Sequence, residues 1–224
     1  MPYLKRLLQR ERDKTLYLLL VMLVHNLIYP LSSGGGIQPI IFYGLFSSMF
    51  VLAVFLLSEK PSERLIISLA GIVVFVSGII NSYFPGTLAL PVLYLSVIVY
   101  HLVMIIVLVR YIFVAKRILI EVILAATSLY LILGSVYTAV YGLVEWLEPG
   151  SFVVSSGAEL SWQLLLYYSY VTLTTVGYGD ITPVKFYAQS LAAFEAITGV
   201  LYTVILLSRL VGLYESERSD YVTQ

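Results

Sequence analysis

The chain has 224 residues, of which 60% are hydrophobic and 12% are charged, and its 13 Lys and Arg residues balance 13 Asp and Glu residues. Soluble domains carry about a quarter charged residues, so this composition excludes a water-soluble globular domain and a disordered chain. Without a basic surplus we expect no nucleic-acid partner. Without cysteine there is no disulfide, thiolate metal site or cysteine nucleophile. The remaining class is a membrane protein.

Stretches without charged residues locate the predicted membrane spans. Residues 15–58 contain no Asp, Glu, Lys or Arg, and neither do residues 65–109. A bilayer core requires about 20 apolar residues per helix, so each stretch holds two helices. Glycine, serine and proline mark the turns between these helices at 32–36 and 83–87. The four predicted spans are residues 15–31, 37–57, 65–82 and 88–109.

The second half of the chain begins with a mixed segment. In residues 110–121 the charged residues recur at helical spacings, which predicts an amphipathic linker lying on the membrane surface. Residues 161–174 are too few to cross a bilayer, so we expect a re-entrant helix with Ser161 as its N-cap. The other predicted segments are an outer helix at 122–144, a solvated loop at 145–160, an inner helix at 185–213 and a tail at 214–224.

These elements predict an all-α membrane protein with six transmembrane helices and one re-entrant helix. Residues 1–14 form a basic N-terminal segment, and residues 15–109 a four-helix peripheral domain. If the N-terminus is cytoplasmic, 12 of the 13 Lys and Arg residues face the cytoplasm, and only Lys185 does not. The positive-inside rule therefore predicts cytoplasmic N- and C-termini in the cell membrane. The first span follows without a cleavage site, which favours a retained anchor over a signal peptide.

One segment, TTVGYGDITP at 174–183, carries specific chemistry. It follows the re-entrant helix, and non-helical backbone at membrane depth is tolerated only when it is buried in protein or lines a water-filled path. Gly177 and Gly179 can adopt positive φ at alternate positions, which turns successive carbonyls to one side. Four such rows around an axis, with the Thr175 hydroxyl at the inner end, replace the hydration shell of a cation. One chain has one row, so a homotetramer is expected.

The pentapeptide at 175–179, followed by Asp180, resembles the filter signature of the tetrameric potassium channel superfamily. The surrounding sequence is most similar to prokaryotic channels that have extra helices before the pore and no soluble regulatory domain. The resemblance implies that residues 122–213 form a pore domain, with 161–174 as its pore helix. It also implies that Gly179 lets the chain turn outward and that Asp180 stands at the outer mouth. The K⁺ ligands implied by the resemblance are Thr175, Val176, Gly177 and Tyr178.

The chain departs from many relatives beside this motif. Many of them carry a glutamate four residues before the filter threonine, where it hydrogen-bonds to the aspartate after the filter. Here that position is Val171, so this contact is absent. Tyr168 occupies the region where relatives carry bracing aromatic residues, and we expect it to hold Tyr178 in place by packing and hydrogen bonding. For Tyr170 the sequence supports no specific prediction.

Two inner-helix residues are further candidates. Glu195 is an acid inside the membrane and therefore a functional candidate that supports the filter. Its structural alternative is a hydrogen bond from a protonated carboxyl to the pore helix, at Thr172 or Thr174, and both roles remain open. Gly199 matches the gating hinge of the family, and its alternative role is close helix packing.

The fourth predicted span argues against voltage sensing. A sensing helix carries several Arg or Lys residues across the field, and residues 88–109 carry none. We expect Arg110, at the end of this span, to reach the membrane surface with its long side chain. Residues 15–109 are therefore interpreted as a non-sensing domain. His25 and His101 lie in mid-span and are interpreted as interhelical hydrogen-bond donors rather than pH sensors.

The sequence thus predicts a passive, K⁺-selective channel with weak or no voltage dependence. The alternative is a subunit of an ion-coupled K⁺ transporter or a pore-like membrane sensor. No catalytic motif such as HExxH, GxSxG or a phosphate loop is present, so an enzyme is not expected. We expect membrane lipids as partners, K⁺ as the permeant ion, no cofactor and no other small-molecule substrate. The tail at 214–224 is too short for a nucleotide- or calcium-binding domain, so ligand gating by a fused soluble domain is not expected, and the gating stimulus stays open.

Overall fold

The computed structural model describes residues 2–29, 36–57, 61–84, 86, 88–114 and 120–222, with side chains described for 14–29, 36–48, 61–62, 64–84, 86, 88–114, 120–209 and 211. The described part contains seven helices and two short strands. The helices are α1 (Pro2–Ile28), α2 (Gln38–Leu57), α3 (Pro61–Tyr83), α4 (Ala89–Val114), α5 (Ile120–Leu147), α6 (Trp162–Leu173) and α7 (Phe186–Val222). The strands are β1 (Phe152–Val154) and β2 (Ile181–Pro183).

Four of the described helices are long and apolar enough to cross a membrane, which makes the chain a multi-pass membrane protein with a mostly α-helical fold. These segments are Arg64–Tyr83, Ala89–Val114, Ile120–Leu147 and Phe186–Arg209. In α1 the apolar segment is the shorter Lys14–Ile28, and in α2 the side chains of 49–57 lie outside the described residues. The predicted count of six spans therefore stays a prediction.

The predicted linker at 110–121 requires a correction. Helix α4 continues through Val114, and α5 begins at Ile120, so both ends of the linker belong to spanning helices. Apolar residues follow Arg110 and allow α4 to extend by another turn, while Glu121 is buried in the first turn of α5 instead of lying at a surface. Residues 115–119 are outside the described part, as are most of the predicted turn at 32–36 and Pro85 and Thr87 of the turn at 83–87.

Other boundaries also differ from those predicted. Helix α5 ends at Leu147, three residues beyond its predicted end, and α7 continues to Val222 through most of the predicted tail. The loop at 145–160 contains β1, which pairs antiparallel with β2, and Val154 faces Ile181 in the register. This pairing joins the chain just after the TVGYG segment to the loop that follows α5.

Helix α5 is the structural centre of the chain. One face packs against α1 and α4 in the largest hydrophobic core, and the opposite end packs against α6 in a second core. Fully or nearly fully buried residues of the first core are Leu18, Met104, Leu108, Ala125 and Ile132. The second core contains Tyr141, Leu165, Tyr168, Ile181 and Ala188. The helices before α5 are thus attached to the rest of the chain mainly through α5.

An arginine in α7 makes a second connection to α4. The Arg209 guanidinium donates hydrogen bonds to the carbonyls of Ile112 (3.2 Å) and Phe113 (2.8 Å) and lies 4.9 Å from the centroid of the Phe113 ring. The last carbonyls of a helix have no partner within the helix. Arg209 therefore caps α4 from a neighbouring helix.

Candidate functional site

Helix α6 has the dimensions of a helix that enters a membrane without crossing it. Its 12 residues rise about 18 Å, well short of a bilayer core of about 30 Å. The helix begins where the sequence predicted, because the Ser161 side chain accepts a hydrogen bond from the backbone N–H of Leu164 at 3.3 Å. It ends at Leu173, and Thr174 is the one residue between it and the TVGYG segment.

The backbone of the TVGYG segment alternates in conformation. Thr175, Gly177 and Gly179 have positive φ angles of 60°, 56° and 78°, whereas the two residues between them do not. Glycine adopts positive φ without strain, and Thr175 is the one non-glycine residue in the described part of the chain that does so. The alternation matches the arrangement that the two glycines predicted.

The N–H groups of this segment turn back toward α6. Those of Val176 and Gly177 donate to the carbonyl of Val171 at 2.9 and 3.3 Å, and that of Thr175 donates to Thr172 at 2.9 Å. Among the described residues, no backbone N–H donates to the carbonyls of 175–178. Side chains 174–179 are exposed in the single chain. The carbonyls are therefore available as ligands.

Tyr167, rather than Tyr168, contacts Tyr178 within the chain. The rings of Tyr167 and Tyr178 stack with 6.4 Å between centroids and 8° between planes. Tyr168 is buried on the other side of α6, 5.2 Å from the Tyr141 ring and 5.4 Å from the Phe152 ring. Sequence analysis missed Tyr167, although its position one turn before Val171 places it on the helix face that meets the TVGYG segment.

Tyr167 also lies close enough to Asp180 for the two side chains to interact. Interaction with the Asp180 carboxylate raises the pKa of the Tyr167 phenol above its usual value of 10.0. The Asp180 carboxylate also accepts from the N–H of Ile181 at 3.1 Å, and its backbone carbonyl accepts from Ser155 at 2.8 Å.

Tyr170 fixes α6 to α5. Its hydroxyl donates to the carbonyl of Leu131 at 2.9 Å and lies 3.3 Å from the Ser135 hydroxyl. A Cβ atom at Gly134 would lie 2.4 Å from the Tyr170 ring, so glycine permits this close approach. Thr174, a predicted filter support, donates its hydroxyl to the carbonyl of Tyr170 at 2.6 Å and closes the end of α6.

Glu195 is fully buried, and its partners differ from those predicted. One carboxyl oxygen lies 2.5 Å from the Ser169 hydroxyl of α6, and the other accepts a hydrogen bond from the Tyr141 hydroxyl of α5. The predicted partner Thr174 instead donates its hydroxyl to the carbonyl of Tyr170, and Thr172 is not among the side chains that hydrogen-bond to Glu195 in the described part of the chain. Glu195 thus joins α7 to both α6 and α5, and its role in supporting the filter stays a prediction.

The hydrogen-bond pattern around Ser169 favours a protonated Glu195. The Ser169 oxygen lies 2.7 Å from the carbonyl of Gly134 and 2.5 Å from Oε1 of Glu195. Each contact requires a proton, a carbonyl has none, and a serine hydroxyl supplies one. The second proton must therefore reside on the Glu195 carboxyl.

Gly199 lies inside the continuous helix α7 and packs against the end of α6. A Cβ atom at this position would lie 2.0 Å from the carbonyl oxygen of Leu173, which also accepts a hydrogen bond from Tyr130 at 3.2 Å. This contact supports the close-packing role. The hinge role stays a prediction.

We expect the substitution Gly199→Ala to destabilise the protein by about 1–3 kcal/mol, because its methyl group overlaps a backbone atom that is fixed on both sides. Gly86→Ala is the matched control, since a Cβ at Gly86 meets no atom within 4 Å. Thermal unfolding in detergent measures both variants. If Gly199→Ala unfolds at the same temperature as Gly86→Ala, the close contact does not limit stability.

His25 and His101 lie among the helices before α5. The His25 ring packs 4.6 Å from the Phe46 ring centroid. Nδ1 of His101 lies 2.8 Å from the carbonyl of Val97, four residues earlier in the same helix. This hydrogen bond is within α4, so the interhelical bond predicted for His101 is not the one observed at Nδ1.

Comparison with known proteins agrees with this geometry. A family model described as ion channel matches residues 92–216, from the start of α4 to the last turns of α7. A search of curated proteins found no match. Because the family match covers more than half of the chain, the protein belongs to this ion channel family.

Proposed function

We propose that this ion channel conducts K⁺ selectively and passively through a fourfold filter made of residues 175–179. The observation that carries the proposal is the alternation of positive φ at Thr175, Gly177 and Gly179 together with N–H groups that bond back to Val171. Such a backbone directs its carbonyls away from α6. In a ring of four chains these carbonyls, with the Thr175 hydroxyl, replace the water around K⁺.

Assembly as a homotetramer is supported by the surfaces that one chain leaves uncovered. Tyr178 lies in the non-helical segment after α6, and its side chain is 70% exposed in the single chain. Apolar side chains along one length of α7 are also at least half exposed, namely Phe194, Ile197, Leu201, Val204 and Ile205. Backbone that is not helical cannot face lipid. Neighbouring copies that cover this region remove the conflict.

Purified protein in liposomes is expected to pass K⁺ and Rb⁺ and to exclude Na⁺. The reason is that one set of fixed carbonyls replaces the hydration shell of K⁺ better than that of Na⁺. Reversal potentials measured with K⁺ on one side and Na⁺ on the other test this expectation. Equal permeability overturns the proposed selectivity, and currents without unitary steps favour the transporter alternative.

We also propose that the helices before α5 cross the membrane with both termini in the cytoplasm and do not sense voltage. In α4 the positions toward the other helices are filled by Tyr100, His101 and Met104 rather than by arginine. The membrane field acts on charge, at about 2.3 kcal/mol per elementary charge per 100 mV. With no charge between 89 and 109, little energy is coupled to voltage.

The open probability is therefore expected to change little with voltage. Single-channel recording over a wide voltage range measures this dependence. Arg110→Gln, at the end of the uncharged stretch, is expected to leave the slope unchanged and serves as the comparison. A steep curve that becomes shallower in Arg110→Gln contradicts the proposal.

A further inference from the structure

A cavity of about 80 Å³ lies where the helices before α5 meet α5 and α6. Six helices contribute to its wall, each with at least one side chain. Representative wall residues are His25 of α1, Phe42 of α2, Asn81 of α3, His101 of α4, Thr138 of α5 and Trp162 of α6. The cavity is thus a partly open cleft within the chain, and none of its wall residues belongs to the TVGYG segment.

Aromatic rings form much of this wall. The Phe42 ring is 5.6 Å from the Trp162 ring and 5.3 Å from the His25 ring, between centroids. No Asp, Glu, Lys or Arg is among the wall residues that the structure describes. An apolar cavity of about 150 Å³ in another protein accepts benzene. A cavity of roughly half that volume suits a neutral molecule of a few heavy atoms.

The polar groups of the wall include hydrogen-bond acceptors. Thr138 is buried, and its hydroxyl donates its one proton to the carbonyl of Gly134 at 2.8 Å. Its oxygen retains lone pairs that can accept. The carbonyl of Val97 can only accept, so Nδ1 of His101 carries the proton in that contact and Nε2 of the neutral ring is an acceptor.

We infer that this cavity is a binding site for a small neutral alcohol. The apolar end of the ligand packs between Phe42 and Trp162, and its hydroxyl donates to the Thr138 oxygen. Binding here requires no ion flux, so the inference stands or falls independently of the proposed selectivity. It adds a ligand that is bound between the peripheral helices and the pore helix, not a transported substrate.

Fluorescence of Trp162 tests the site directly. The chain has two tryptophans, so Trp146→Phe leaves Trp162 as the only one. In liposomes we expect 2-bromoethanol, whose bromine quenches tryptophan, to produce a saturable component of quenching in this variant. Bromoethane lacks the hydroxyl and is the matched probe. Partition into lipid is the same for every variant and contributes only a linear component.

Two further substitutions in the Trp146→Phe background locate the bound alcohol. Ala139→Leu adds three carbon atoms to the cavity wall. It is expected to raise the half-saturating concentration of 2-bromoethanol by about tenfold or more. Thr138→Val keeps the shape of the side chain and removes the hydrogen-bond acceptor. It is therefore expected to weaken the binding of 2-bromoethanol by roughly threefold to tenfold and to leave the binding of bromoethane unchanged. Ala158→Leu, in the exposed loop before α6, is the control and should match the parent.

Three results overturn the inference. Quenching in the parent that rises only linearly with 2-bromoethanol concentration shows that the cavity does not bind the alcohol. A saturable component that survives in Ala139→Leu places the alcohol elsewhere. If each probe binds Thr138→Val with the same affinity as the parent, the proposed contact between the alcohol hydroxyl and Thr138 is rejected. Thr138→Val preserves side-chain volume, so this last result is available even if Ala139→Leu does not assemble.

Discussion

The substitution Gly177→Ala is expected to abolish K⁺-selective conduction while the protein still folds and assembles. Gly177 has a φ angle of 56°, in the left-handed region. Alanine in this conformation costs about 1–2 kcal/mol, and rotation of the backbone relieves the cost by turning a carbonyl out of the row. A Cβ at this position meets no atom of the same chain within 4 Å, so steric overlap within the chain does not explain a loss.

A second glycine with positive φ shows whether backbone strain alone, or strain at a position in the proposed filter, causes the loss of conduction. Gly157 has a φ angle of 72°, and a Cβ there also meets nothing within 4 Å. Gly157→Ala therefore carries a similar strain in the loop before α6, and we expect it to retain normal flux and selectivity. Liposome flux of K⁺ and Na⁺ compares the two variants. Selective conduction by Gly177→Ala would remove the carbonyl row from the explanation of selectivity.

The long helices were predictable because hydropathy along a chain reflects membrane burial directly. Uncharged runs of span length located α3, α4 and α5, and Ser161 marked the start of α6 because capping depends on residues close in sequence. The linker at 110–121 was wrong at its ends because charge positions alone do not show that α4 continues past Arg110. Glu121 is buried by tertiary packing, which its local sequence does not indicate.

The backbone conformation of the candidate site was predictable from the sequence, but the contacts of its side chains were not. The two glycines predicted positive φ at 177 and 179, because that preference is intrinsic to glycine. Which of two adjacent tyrosines stacks on Tyr178 depends on the rotation of α6 about its axis. Whether Glu195 meets Ser169 or Thr172 depends on how far α7 is shifted along α6. Both quantities are set by packing between helices that are distant in sequence.

The carboxyl of Glu195 is expected to be needed as a hydrogen-bond donor rather than as a charge. Glu195→Gln keeps this pattern, since its amide nitrogen donates to Ser169 and its carbonyl accepts from Tyr141. We therefore expect nearly normal stability and K⁺ flux. Glu195→Val leaves both hydroxyls without this partner in a buried site, at about 1–3 kcal/mol for each unsatisfied group. The stability of the protein, the stability of the proposed tetramer and the K⁺ flux should all fall.

Dependence on pH distinguishes the donor role from packing alone. In the parent protein, loss of the carboxyl proton at high pH removes the donor to Ser169 and places a charge beside the Gly134 carbonyl. Stability that depends on the protonated form is present at low pH and is lost as pH rises, so flux of the parent is expected to decline in alkaline solution. Glu195→Gln has no proton to lose at this site and should show no such decline. Two results together would contradict this role: the parent and Glu195→Gln respond alike to pH, and Glu195→Val conducts and assembles like the parent. Glu195 then contributes only packing, and the proton between it and Ser169 has no part in holding α6 and the segment that follows it.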